Sequence, residues 1–163
     1  MNSLNVLVHQ TMFFAIPLLI VAIGGMFSER SGVVNIALEG IMTMGAFAGV
    51  LFIHVYQLNA TNPMNPQLLL LCALLISTVT GVIVALPHAI PSIHLKANQT
   101  ISGTAINMFA PAFAIYIARV LFTVQQIPFS NQFRIPEVPG LNKIPIIGPM
   151  FFANTYITTA LGI

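Results

Sequence analysis

The sequence predicts an all-α polytopic membrane protein with four complete transmembrane helices and the start of a fifth. Apolar residues make up 57% of the 163 residues and charged residues only 5%, against about 25% in soluble domains. The apolar residues fall into runs of about 20, the length that a helix needs to cross a bilayer core of about 30 Å. Five basic and three acidic side chains are too few to keep a globule of this size in solution.

Short polar or proline-containing stretches separate the four complete spans. We predict these spans, in order, at residues 6–27, 33–56, 68–90 and 100–124. Asn and Pro in residues 57–67 are typical of a loop, and Pro87 and Pro91 are expected to end or kink the third span. Residues 125–150 contain five prolines and predict an extended surface loop.

The last segment, residues 151–163, begins like another span but has only 13 residues. A helix of that length is about 20 Å long and too short to cross. We therefore expect residues 1–163 to be the N-terminal part of a longer transmembrane domain. The orientation is not decided by charge, because two basic residues fall in the loops on each side.

The most polar stretch, FSERSGVVNIALEG at residues 27–40, lies between the first two apolar runs. A charged group within a bilayer costs roughly 2.5–3.5 kcal/mol, so it is rarely kept without a use. Asn35 and Glu39 are four residues apart and share one face of a helix, with Glu39 about two turns into the predicted span. Two interpretations stay open: a substrate or gating position, or local capping and pairing of Glu39, for example with Arg30.

Glycines flank this stretch and favour a discontinuous helix whose backbone groups line a cavity. Close helix packing is the alternative, and the GxxxG pattern of Gly45 and Gly49 supports it for the outer part of the span. Further along, Thr100, Gly103, Thr104, Asn107 and Pro111 share one face of the fourth span, which is typical of either helix contact or a substrate-lining surface. Our candidates for the substrate path are Asn35, Glu39, Thr104 and Asn107. Our candidates for helix packing are Gly45, Gly49 and Gly103.

Several kinds of chemistry lack their sequence signatures. No HExxH motif or cysteine pair accompanies the four histidines, so we expect no metal site. No P-loop and no nucleophile elbow occurs, so we expect no catalytic residue, no bound cofactor and no enzyme activity. The chain has no basic run, so we expect no nucleic-acid partner.

Two segments resemble the permease subunits of bacterial ABC importers of the branched-chain amino acid/simple sugar type. Residues 24–49, GGMFSERSGVVNIALEGIMTMGAFAG, are similar to the N-terminal signature of the nucleoside/sugar permease branch. Residues 97–107, ANQTISGTAIN, are similar to the start of a later helix in that family. The family usually has an acid where Gln99 stands, and its members are roughly twice as long as this chain.

The resemblance implies a membrane-spanning permease subunit of an ATP-driven importer for a small polar solute, with nucleosides or simple sugars favoured. It implies three partners: an ABC ATPase subunit that binds the ATP, a second permease subunit and an extracytoplasmic solute-binding protein. It places the chain in the bacterial cytoplasmic (inner) membrane, with Arg30 and Lys96 facing inward. The alternatives are a small homo-oligomeric transporter or channel, and a membrane scaffold subunit that transports nothing.

Overall fold

A computed structural model describes residues 3–60, 64–128, 133, 135–137 and 153–155. Four helices and two short strands follow one another along the chain: α1 Ser3–Arg30, α2 Leu38–Asn59, α3 Pro66–Ile93, α4 Gln99–Phe122, β1 Ile135–Glu137 and β2 Ala153–Thr155. Each helix contains a stretch long and apolar enough to cross a membrane. The predicted all-α architecture with four membrane-spanning helices is therefore confirmed.

The chain divides into two compact units, one formed by Met1–Met26 with Asn131–Ile163 and the other by Phe27–Ser130. In the second unit, α2 packs against both α3 and α4, which also contact each other. α2 is the most enclosed of the four helices. In its most apolar 18-residue stretch 28% is buried, compared with 11% in α3 and in α4. α2 is thus the central helix of this unit.

Close approaches along α2 define the directions of its neighbours. Gly45 lies against Ser77 of α3 and Gly49, one turn later, lies against Ala73, so α3 runs antiparallel to α2. Near the start of α2, Gly40 lies against Ile106 of α4. Near its end, the ring of His54 meets the Phe122 ring edge-on with centroids 4.7 Å apart. α4 therefore runs parallel to α2.

Asparagine caps begin α3 and α4. Asn65 Oδ1 accepts a hydrogen bond from the amide of Gln67, and Asn98 Oδ1 accepts from the amide of Thr100. An Asn at this position satisfies amides that have no partner within the helix. At the other end of α3, the helix continues through Pro87 and Pro91 to Ile93, so neither proline ends it.

The start of the second helix differs from the prediction. We predicted a span from residue 33, whereas α2 begins at Leu38 and residues 33–37 are not helical. Glu39 consequently lies in the first turn of α2 and not two turns into it. The apolar residues at 33, 34 and 36 continue the helical pattern in the sequence. Their backbone instead binds side chains of the neighbouring helices: Val33 binds Ser28 of α1, whereas Val34 and Ile36 bind Gln99 and Asn107 of α4.

Strands β1 and β2 pair antiparallel, with Ile135 opposite Thr155 and Glu137 opposite Ala153. β2 falls within the predicted fifth span, so at these three residues the helix prediction is wrong. The local sequence NTYITT is rich in β-branched and aromatic residues, which favour strands. The other residues of the predicted span, 151–152 and 156–163, lie outside the described residues.

Candidate functional site

The connection between α1 and α2, residues 31–37, interrupts the helical path and is called here the helix break. Gly32 has a φ of +86°, a left-handed conformation that glycine adopts without strain. Its amide donates to the carbonyl of Glu29 at 3.0 Å, which closes the C-terminus of α1. Ser28 Oγ donates to the carbonyl of Val33 at 2.7 Å across the break. Ser28 and Gly32 thus stabilise the interruption itself.

Two asparagines bind the backbone where α2 begins. Asn35 Oδ1 accepts from the amide of Ala37 at 3.1 Å. From α4, Asn107 Oδ1 accepts from the amide of Gly40 at 2.7 Å, and Asn107 Nδ2 donates to the carbonyl of Ile36 at 2.8 Å. We call this pair of hydrogen bonds the Asn107 bridge. It satisfies the amide of Gly40 and the carbonyl of Ile36, which have no partner within a helix where α2 begins.

The backbone of the break lies directly on α4. A Cβ added at Gly103 would lie 2.8 Å from Ile36 Cβ and 3.0 Å from the amide nitrogen of Ala37. A Cβ added at Gly40 would lie 2.8 Å from the carbonyl oxygen of Ile106. Ala37, between these contacts, has no exposed surface. The two helices approach this closely because both contact positions are glycines.

The Asn107 bridge lies far from the ends of α4. Asn107 is eight residues after Gln99, the first residue of this helix, which places it about 12 Å along the axis at 1.5 Å per residue. α4 has 24 residues and is about 36 Å long, slightly more than a bilayer core of about 30 Å. The middle of α4 lies about 18 Å along its axis. The start of α2, which the bridge holds at the level of Asn107, therefore lies about 6 Å from the level of that middle.

The carboxylate of Glu39 stands in the first turn of α2 and is exposed. No side chain caps α2 at its N-cap residue, Ala37, and within residues 3–60 and 64–128 no ion pair joins Glu39 to Arg30. The positive end of the helix dipole favours an acid at this position. At this depth a carboxylate needs water or a polar partner, because exposure to lipid is costly.

The four substrate-path candidates do not all lie together. Asn35 and Asn107 both bind backbone atoms where α2 begins, and Glu39 lies in the first turn of that helix. Both functional groups of the Asn107 amide are already bound to backbone atoms. Thr104 lies one turn before Asn107 on α4, where it is exposed and donates to the carbonyl of Thr100 at 2.7 Å and not to the break.

The three packing candidates all lie at close contacts, two of them between helices and one against the helix break. A Cβ at Gly45 would lie 3.1 Å from the carbonyl oxygen of Ser77, and one at Gly49 would collide with Ser77 Oγ. These two glycines bring α2 against α3. Gly103 contacts the helix break instead, at Ile36 and Ala37.

Two residues important to the break were not selected from the sequence. Gly40 permits the contact with Ile106, and the available signal was a glycine directly after Glu39 in the polar stretch. Gln99 Oε1 accepts from the amide of Val34 at 2.8 Å and so joins the break to the first residue of α4. A carboxylate oxygen would accept the same bond, so the amide at this position keeps the contact that an acid would make.

A second polar group lies between α3 and α4. His88 is only 3% exposed, and its Nδ1 lies 3.2 Å from Ser102 Oγ. Its Nε2 and the hydroxyl of the buried Ser92 have no hydrogen-bond partner among the described residues. Within residues 3–60 and 64–128, no group of three His, Cys, Asp or Glu side chains is arranged to hold a metal ion.

Comparisons with known proteins agree on one family. Residues 7–162 match the family of branched-chain amino acid transport system permease components. The nucleoside ABC transporter permease protein NupC of Lactococcus lactis is 37% identical over 99% of this chain and 50% of its own length. The guanosine ABC transporter permease protein NupQ of Bacillus subtilis is 40% identical over 98% of this chain and 49% of its own length.

A more distant relative is named for a different solute. A putative glucose ABC transporter permease protein of Haloferax volcanii is 28% identical over 91% of this chain and 42% of its own length. The chain thus spans about half the length of the curated relatives it matches. No solved structure is significantly similar to it.

Proposed function

Because the chain belongs to the family of branched-chain amino acid transport system permease components, we propose that it forms part of the permease subunit of an ATP-driven nucleoside importer. The observation that carries the proposal is the pair of relatives named for nucleoside and guanosine transport, which match nearly the whole chain. The family and the four apolar helices make it a multi-pass protein of the bacterial cytoplasmic (inner) membrane.

The energy for transport comes from partner subunits in this proposal. An ABC ATPase binds and hydrolyses ATP, a second permease subunit completes the membrane path, and an extracytoplasmic solute-binding protein delivers the nucleoside. The sequence has no P-loop of its own, in keeping with ATP binding on a separate chain. Nucleotide binding and hydrolysis then switch the permease helices between outward and inward access.

The helix break and the first turn of α2 supply the polar groups for the path. α2 begins near the level of the middle of α4, with the exposed carboxylate of Glu39 in its first turn. A carboxylate accepts hydrogen bonds from the ribose hydroxyls of a nucleoside, and the amide of Asn35 both donates and accepts. Helices that begin near the bilayer midplane and present polar groups to a solute are a recurring feature of transporter binding sites.

Uptake of radiolabelled guanosine tests this function. The full-length permease is produced with its partner subunits in cells that lack their own nucleoside importers, and initial rates are measured at matched membrane abundance. We expect uptake that unlabelled nucleosides compete for, that requires the ATPase subunit, and that falls by about tenfold or more in Glu39→Gln, the loss of one charged hydrogen bond. Competition by glucose but not by nucleosides would contradict the nucleoside assignment.

The matched control for that variant is Asn98→Asp. Asn98 uses only its oxygen, as acceptor for the amides of Thr100 and Ile101, and Asp is an equally good cap. We expect this variant to take up guanosine like the wild type. Equal uptake by Glu39→Gln and Asn98→Asp would remove Glu39 from the path.

A further inference from the structure

We propose that Asn107 is a positioning residue that holds Glu39 beside the solute path and does not itself bind the solute. The proposal rests on the proposed function, in which Glu39 faces the nucleoside. It assigns to Asn107 a role different from the one expected from the sequence, where Asn107 was a candidate for direct solute contact.

The Asn107 bridge joins two points on either side of the start of α2. Ile36, whose carbonyl accepts from Nδ2, belongs to the break, and Gly40, whose amide donates to Oδ1, belongs to the first turn of the helix. One planar amide therefore fixes the break and the first helical turn relative to each other. Glu39 lies between these two points, next to Gly40, so its backbone has little freedom to turn.

The packing around the bridge prevents Asn107 from turning toward a solute at low cost. Gly40 lies against the backbone of Ile106, next to Asn107, and Gly103, one turn earlier on α4, lies against Ile36 and Ala37. If the side chain of Asn107 turned away, the backbone carbonyl of Ile36 and the backbone amide of Gly40 would lose their partner at a part-buried position. Unpaired buried backbone groups are rare because each one carries a desolvation cost.

Asn107→Asp is a specific probe because the side-chain amide of Asn107 both accepts and donates a hydrogen bond. A protonated carboxyl can copy the bridge, since its carbonyl oxygen accepts from Gly40 and its hydroxyl donates to Ile36. An ionised carboxylate has no donor and places a negative oxygen against the carbonyl of Ile36. The bridge should therefore form at low pH, where the carboxyl carries its proton, and fail as the pH rises.

The first experiment measures guanosine uptake by the full-length complex at about pH 8 and about pH 5, within the range over which a buried carboxyl changes its protonation. We expect Asn107→Asp to lose about tenfold of the wild-type rate at the higher pH and to recover to within about twofold at the lower pH. Asn98→Asp makes the same chemical change on the same helix, at a side chain that only accepts. It should follow the wild-type profile at both pH values. A loss in Asn107→Asp that does not depend on pH, or no loss at either pH, would overturn the proposal.

A double-variant cycle separates positioning from general stabilisation. If Asn107 acts through Glu39, the Asn107→Asp change should not lower further the residual uptake of Glu39→Gln at the higher pH. Multiplicative losses in the double variant would mean that Asn107 only stabilises the fold, and the positioning role would be rejected.

A spectroscopic readout makes the test independent of the solute. A nitroxide is attached to Glu39→Cys in a background free of other cysteines, which includes Cys72→Ala, and its mobility is followed by electron paramagnetic resonance with Asn107 and with Asn107→Asp. We expect a more mobile label in the Asp variant at the higher pH only, and equal mobility under all conditions would overturn the proposal. If no variant and no wild-type complex takes up nucleosides, the nucleoside function fails and this spectrum alone decides whether Asn107 positions residue 39.

Discussion

Replacing Gly40 with alanine tests the contact between α2 and α4 most simply. The added Cβ would lie 2.8 Å from the carbonyl oxygen of Ile106 and 2.9 Å from its carbonyl carbon, whereas ordinary contacts begin at 3.4 Å. One helix must therefore move by about 0.6 Å against backbone atoms that cannot rotate away. A movement of this size stretches the 2.7 Å hydrogen bond from Gly40 to Asn107 beyond its optimal length.

The magnitude follows from three contributions. Overpacking costs about 1–3 kcal/mol, and the weakened hydrogen bond costs about 1 kcal/mol more. Alanine in a helix gains at most about 1 kcal/mol relative to glycine. The expected net loss in the free energy of unfolding for Gly40→Ala is therefore about 1–3 kcal/mol.

The assay is thermal unfolding of the purified full-length protein in detergent, followed by a fluorophore that reacts with newly exposed thiols such as the partly buried Cys72. Gly81→Ala is the matched control, because its Cβ would meet only Ile41 Cγ2, at an ordinary 3.6 Å. We expect Gly40→Ala to lower the unfolding temperature by several degrees and Gly81→Ala to keep or raise it. Equal unfolding temperatures for the two variants would refute the close contact between Gly40 and Ile106.

The remaining predictions concern three other contacts of the same unit, and each uses the thermal unfolding assay. Gly32→Ala should lose about 1–2 kcal/mol of stability, because its φ of +86° strains a residue that has a Cβ; an unchanged unfolding temperature would contradict this. Gln99→Glu should match the wild type because it keeps an oxygen acceptor for the amide of Val34, whereas Gln99→Leu should lose about 1 kcal/mol. Equal stability of the Leu and Glu variants would show that the bond contributes nothing. His54→Phe should also lose about 1 kcal/mol, because His54 Nδ1 donates to the carbonyl of Pro128, which can only accept. A Phe variant as stable as the wild type would exclude that contribution.

The helices themselves could be predicted because long apolar runs determine them. α3 extends from Pro66 to Ile93 around a predicted span of residues 68–90, and its start is marked by a local signal, the capping Asn65. In such segments composition and length decide the structure without reference to distant residues. Pro87 and Pro91 do not end α3, since neighbouring helices can compensate for a proline within a membrane helix.

The helix break could be predicted only in outline. Polar and glycine residues indicated an interruption near Asn35 and Glu39, but its extent depends on Asn107, which binds atoms 67 and 71 residues earlier in the chain. No local pattern identifies such a partner. For the same reason the sequence singled out Asn107 as a polar residue on a helix face but did not indicate that both sides of its amide are used by the backbone.

The most direct test of the central claim is whether residue 39 meets the aqueous solute path. Glu39→Cys, in a background free of other cysteines that includes Cys72→Ala, is exposed to a membrane-impermeant thiol reagent in the assembled complex, with and without guanosine and its binding protein. We expect the cysteine to react and guanosine to slow the reaction, because the first turn of α2 faces the path in our proposal. A cysteine that stays unreactive from both sides of the membrane, or that reacts at the same rate with guanosine present, would contradict the assignment of Glu39 to the path.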